Sequence, residues 1–182
     1  MSPVTREVDT WRTLPNLITA LRILLIIPFT WYAVHGRDLY ALVIFAIAGI
    51  SDGVDGLLAR RLNQFSRLGR LIDPLADKFL TGTGYIVLSV FRDGLPAIPL
   101  WVMAMVVGRD LLILLGAWIV YRSTRTTEFK PTIYGKLNTV IELVVIPWFL
   151  LTPPPQAVYF LMAISILISL VDYARQGIKM LK

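Results

Sequence analysis

Four aspartates stand at fixed spacing in one stretch of the chain: Asp52-x2-Asp55-Gly56-x2-Ala59-Arg60-x8-Gly69-x3-Asp73-x3-Asp77. On a helix advancing about 100° per residue, Asp52, Asp55, Gly56, Ala59 and Arg60 fall within an arc of about 140°. Asp73 and Asp77, at i and i+4, share a face of the helix that follows. The turn between the two helices is short, so these faces can be apposed and the four carboxylates brought to one place. Like charges that close repel one another unless cations sit between them. A ligand set made only of oxygen suits Mg2+ or Mn2+, whereas zinc prefers His or Cys. Gly56, Ala59 and Gly69 leave room for something large beside the backbone, and Arg60 offers a planar guanidinium matched to phosphate oxygens. Acids, an arginine and space together point to metal-assisted phosphoryl or pyrophosphate chemistry.

The elements that must hold these residues are hydrophobic. The 182 residues are 56% hydrophobic and 16% charged, against about 25% charged for a soluble domain. The apolar residues form runs near 17–34, 39–51, 79–91, 97–121, 137–152 and 156–174, each near or at the roughly 20 residues that span a bilayer. The expectation is six transmembrane helices in one bundle over 16–175, with the whole of 1–182 forming a single membrane domain. The 39–51 and 79–91 runs reach spanning length only by including the acidic motif. A charge at the bilayer centre costs roughly 2.5 to 3.5 kcal/mol on insertion scales, so four carboxylates at that depth need a use.

Arg6, Arg12, Arg60, Arg61, Arg67, Arg70, Arg122, Arg125, Lys130, Arg175, Lys179 and Lys182 fall on one side of such a bundle, 12 of the 18 basic residues, and only Arg37 and Arg92 on the other. By the positive-inside rule both termini face the cytoplasm or its organellar equivalent. The net charge of +6 then serves topology and attraction to anionic lipids, not nucleic-acid binding, because no soluble basic domain is present. The absence of cysteine excludes disulfides and thiolate metal sites. Residues 1–15 do not read as a cleavable signal peptide. Val4, Val8, Trp11 and Leu14, spaced by three and four, predict an amphipathic helix at the membrane surface, with a frayed tail as the alternative.

Polar residues inside the runs all fall in the cytoplasmic half: Asn16, Thr19 and Arg22 in the first span, the motif in the second and third, Arg109 and Asp110 in the fourth, Lys136, Asn138 and Glu142 in the fifth, and Asp172 in the sixth. Together they predict a polar cavity open to the cytoplasm. Taken singly, Lys136 and Asp172 also fit interface anchors, and Arg22 a side chain that snorkels to the surface. A transporter built from paired, interrupted repeats is the alternative from another class, but no repeat is visible. A lipid phosphatase with a histidine nucleophile is excluded, since His35 is the only histidine and lies on the opposite side.

The eight-position signature resembles that of the CDP-alcohol phosphotransferase family of integral membrane enzymes. The resemblance covers nearly the whole chain. It implies six transmembrane helices preceded by an amphipathic helix, usually as a homodimer, in a bacterial cytoplasmic or mitochondrial inner membrane. It also implies transfer of a substituted phosphate from a CDP-linked donor to an alcohol, with release of CMP. Carried over by position, Asp52, Asp55 and Asp73 look like ligands of a two-metal Mg2+ or Mn2+ site. Asp77 looks like the general base, with some part in metal binding. Gly56, Ala59, Arg60, Ser66 and Gly69 look like the nucleotide side. Asn16 and Thr19, in PNLIT, match a first-helix segment that closes over the diphosphate; helix capping by Asn16 is the other reading.

The motif does not choose the acceptor. DPLADK at 73–78 is shared by two branches of the family. GRDLLILLGAWIVYR at 108–122 and KPTIYGKLNTVIEL at 130–143 look more like the cardiolipin synthase branch. That branch implies CDP-diacylglycerol as donor and phosphatidylglycerol as acceptor, with Arg109, Lys136 and Asn138 in the acceptor site. Glycerol 3-phosphate is the runner-up acceptor. The same residues also fit structural pairs that hold helices together.

Overall fold

The computed structural model describes residues 14–62, 69–124 and 132–181; the side chains at 14–16, 52–62, 69–75, 77, 124 and 181 lie outside the described set. Among the described residues there are six helices and no strand: α1 (Leu14–Val34), α2 (Asp38–Leu62), α3 (Gly69–Val90), α4 (Leu100–Thr124), α5 (Ile133–Leu151) and α6 (Gln156–Leu181). Four contain segments long and apolar enough to cross a membrane, namely Leu17–Val34, Leu100–Ser123, Ile133–Leu151 and Gln156–Met180. In α2 the apolar piece is the shorter Asp38–Ser51, as expected of a helix that gives its second half to the motif. Most of the amphipathic segment expected over 1–15 lies outside the described residues, although Leu14 and Pro15 already belong to α1.

Contacts divide the chain into two compact units, one ending at Leu95 and the other beginning at Pro96. In the first, α1 packs against both α2 and α3. Its core is Phe29, Ala33, Ala41, Phe45, Ala48, Leu80, Tyr85 and Leu88. The three alanines let helix backbones approach closely, which is how helices associate where lipid removes the hydrophobic drive. Arg22 meets Ser51, Phe29 meets Phe45 and Tyr32 stacks on Tyr40, a descending series that fixes α1 and α2 as antiparallel. Leu21, Leu24, Ile27 and Trp31 are left on the outer face of α1, the apolar surface that a bilayer would cover.

The turn from α1 to α2 is set by Gly36. The Arg37 N–H donates to the Tyr32 carbonyl at 2.9 Å and the Gly36 N–H to the Ala33 carbonyl at 3.3 Å, the Schellman pattern. It requires a left-handed residue, and Gly36 has φ 67°. A Cβ there would also stand 3.0 Å from Leu95. Asp38 then opens α2, and its carboxylate takes both terminal nitrogens of Arg92, at 2.7 and 2.9 Å. Arg92, read from sequence as a loop cation, is buried and paired.

In the second unit α6 is the shared helix, packing against both α4 and α5. α4 continues through Arg122 to Thr124 and α6 past Lys179 to Leu181, beyond the apolar runs, because a basic last turn suits the helix C-terminus. α5 starts at a cap: Thr132 Oγ1 accepts from the Gly135 N–H at 2.9 Å. A Cβ at position 135 would stand 2.8 Å from the Tyr173 ring, so a larger residue there requires that ring to move. The Thr152 N–H closes the other end on the Trp148 carbonyl, and Pro153, Pro154 and Pro155 follow.

Candidate functional site

The motif occupies the second half of α2 and the first half of α3. Asp52, Asp55, Gly56, Ala59 and Arg60 therefore sit on one continuous helix, and Gly69, Asp73 and Asp77 on the next, as their spacing requires. Their side chains lie outside the described residues, and Ser66 lies outside them entirely. One difference from the readings offered for Asn16 concerns the backbone: α1 begins at Leu14, so Asn16 stands inside the first turn instead of at the cap. No cluster of three or more His, Cys, Asp or Glu able to hold a metal occurs among the described residues, which do not include the side chains of the four aspartates.

What surrounds the motif is described. Thr19 and Arg22, one turn apart on α1, are both fully buried. Arg22 Nε donates to Ser51 Oγ at 3.5 Å, and Ser51 donates to the Ala48 carbonyl at 2.7 Å. Arg22 is thus held inside the protein beside the residue that precedes Asp52, so it does not snorkel. The antiparallel register of α1 and α2 carries Thr19, and one turn further Asn16, alongside the α2 segment that follows Ser51. On α3, Ala76 is buried between the two motif aspartates in sequence, and Thr81 is buried one turn beyond Asp77.

Within the second unit, the polar residues form a system organised by α6. Ser165, Ser169 and Tyr173 recur at i, i+4 and i+8 and so line one face. Ser169 Oγ accepts from Arg109 at 3.0 Å, and Arg109 also donates to Asp110 at 2.7 Å. The Arg109 guanidinium lies 5.9 Å from the Tyr173 ring centre, a cation–π distance. One turn earlier, Ser165 Oγ lies 2.6 Å from Asn138 Oδ1 and 2.8 Å from the Met162 carbonyl. Asn138 Nδ2 donates to Glu142 at 2.6 Å. Arg109, Asn138, Glu142 and Ser169 are all buried.

The three residues expected to bind the acceptor are therefore placed differently from one another. Arg109 and Asn138 are buried, and each is bonded once to α6, through Ser169 and Ser165, and once within its own helix, through Asp110 and Glu142. Lys136 is exposed, because two residues along α5 turn it about 200° away from Asn138. Ser165, Ser169 and Tyr173 were missed from sequence. Their i, i+4, i+8 spacing within an apolar run was the available signal.

Comparison with known proteins matches residues 12–171 to the CDP-alcohol phosphatidyltransferase family model. The chain is 33% identical over 160 residues to the probable cardiolipin synthase (CMP-forming) of Drosophila melanogaster, covering 79% of this chain and 48% of that protein. It is 34% identical over 158 residues to the cardiolipin synthase (CMP-forming) of Homo sapiens, covering 78% and 51% respectively. With the CDP-diacylglycerol–glycerol-3-phosphate 3-phosphatidyltransferase of Aquifex aeolicus it is 29% identical over 177 residues, covering 92% and 97%. The chain spans about half the length of the cardiolipin synthases it matches. A signature of four aspartates at family spacing on consecutive helices and a match over most of the chain lead to one statement: this protein belongs to the CDP-alcohol phosphatidyltransferase family.

Proposed function

We propose that this protein transfers the phosphatidyl group of CDP-diacylglycerol to phosphatidylglycerol, forming cardiolipin and releasing CMP. The observation that carries the reaction class is the aspartate signature on α2 and α3 inside a family match over residues 12–171. Its donor set fits a hard divalent cation: four carboxylates on two helices, with no His or Cys in the motif. Asp52, Asp55 and Asp73 would hold two Mg2+ or Mn2+ ions, with Asp77 at their edge. Bound there, the ions would neutralise the pyrophosphate and improve CMP as a leaving group.

Asp77 takes the proton from the acceptor hydroxyl as its oxygen bonds to the phosphatidyl phosphorus. The bond from that phosphorus to the CMP oxygen breaks. Arg60 pairs with the diphosphate, Gly56, Ala59 and Gly69 make room for the nucleotide, and Ser66 supplies a hydroxyl beside it. The α1–α2 register supports Asn16 and Thr19 on the donor side. Lys136 is the exposed cation suited to the acceptor's phosphodiester, while Arg109 and Asn138 position α4 and α5 on α6. Six spans with both termini in the cytoplasm or its equivalent, a homodimer in a bacterial cytoplasmic or mitochondrial inner membrane, and an affinity for anionic lipids complete this reading.

Identity of 33–35% to cardiolipin synthases supports phosphatidylglycerol as acceptor. Glycerol 3-phosphate is favoured by a different observation, the near-complete coverage of the Aquifex aeolicus enzyme. Purified protein supplied with labelled CDP-diacylglycerol, Mg2+ or Mn2+ and one acceptor at a time separates them. Product with phosphatidylglycerol is expected, and product with glycerol 3-phosphate alone would refute this choice.

A further inference from the structure

A cavity of 320 Å³ lies against the second half of α6, lined by Leu167, Ile168, Val171, Asp172 and Arg175 together with Tyr134 from the first turn of α5. It draws on none of the motif residues. Its lining changes in one direction along α6. Leu167, Ile168 and Val171 come first, each about half exposed, followed by an acid and a base three residues apart on one face. From Leu167 to Arg175 the helix climbs about 12 Å. Apolar floor and charged rim are therefore stacked along the axis of a membrane-crossing helix, within the apolar segment Gln156–Met180.

Charges at the end of such a segment lie where lipid headgroups lie. Among the described residues neither Asp172 nor Arg175 has a hydrogen bond or ion pair. The complementary ligand carries a cation and an anion close together at one end of an apolar body. We propose that this cavity binds a zwitterionic, amine-bearing glycerophospholipid. Arg175 takes the phosphodiester, Asp172 takes the ammonium, and an acyl chain lies over Leu167, Ile168 and Val171. The Tyr134 hydroxyl stands beside the headgroup. An anionic headgroup gains Arg175 but faces Asp172, whereas the zwitterion satisfies both. The paired charges select against the anionic lipid that the proposed reaction would consume.

Native mass spectrometry of the full-length protein, exchanged against phosphatidylethanolamine, phosphatidylcholine and phosphatidylglycerol of matched chains, tests this. Wild type is expected to retain phosphatidylethanolamine about tenfold over phosphatidylglycerol, the size of one charge-assisted contact. Asp172→Asn should bring that ratio within about twofold, and Arg175→Gln should weaken both lipids about tenfold. Equal or better retention of phosphatidylglycerol by wild type overturns the proposal, and this arm needs no variant to fold. A ratio untouched in a folded Asp172→Asn protein also overturns it. Phosphatidylcholine, whose quaternary ammonium cannot donate a hydrogen bond, should be retained less than phosphatidylethanolamine. Equal retention of the two would overturn the assignment of the amine to Asp172.

Discussion

The two units treat buried polarity in different ways. From α4 to α6, Arg109 and Asn138 bond across to Ser169 and Ser165 of α6 and within their own helices to Asp110 and Glu142. From α1 to α3, the aspartates of the motif stand on helices flanked by a buried Thr19 and Arg22, and their number calls for cations from outside the chain. In the proposed reading, a polar residue at membrane depth is a site in one unit and a fastener in the other. What separates the two is whether the chain supplies the partner.

The largest effect should come from Asp77→Asn. Loss of a general base predicts a fall in CMP release of about 10²- to 10⁴-fold, with thermal unfolding unchanged; normal turnover would remove Asp77 from that role. Asn138→Leu should do the opposite. It removes the bridge between Ser165 and Glu142 and should cost about 1–3 kcal/mol of stability, read by denaturation in detergent. Activity per folded molecule should stay near wild type, and a selective loss of turnover would place Asn138 with the reacting groups. Gly135→Ala forces a Cβ to within 2.8 Å of Tyr173 and should destabilise by about 1–3 kcal/mol. Lys136→Met should raise KM for phosphatidylglycerol about tenfold, near 1.4 kcal/mol, without lowering the melting temperature. A change in stability alone would make Lys136 an anchor. Thr132→Ala removes only the α5 cap, about 1 kcal/mol, measured in the same melts.

Helix number and approximate limits were legible because long apolar runs leave few alternatives, and the aspartate pattern was legible because its spacing is rigid. Other features depended on which face meets which neighbour. Lys136 and Asn138 look equivalent in sequence, yet α5 sends one outward and the other into α6. Ser165, Ser169 and Tyr173 carry no charge to mark them among apolar residues, and their role exists only once Arg109 and Asn138 arrive from other helices. Arg92 looked like one more loop cation until α2 brought Asp38 to it. The length of α6 was underestimated because its apolar run ends before Arg175 while the hydrogen-bond ladder continues to Leu181, whereas α4 has the expected length displaced three residues toward its C-terminus.

The pairing of Asp38 with Arg92 also bears on how the chain is made. The two residues are 54 positions apart, and synthesis delivers Asp38 at the start of α2 long before Arg92 appears after α3. The bond can close only when both helices are in place, with the start of α2 level with the end of α3. It acts as a latch that registers completion of the α2–α3 hairpin, and it withdraws one positive charge from the side of the membrane proposed to carry the fewest.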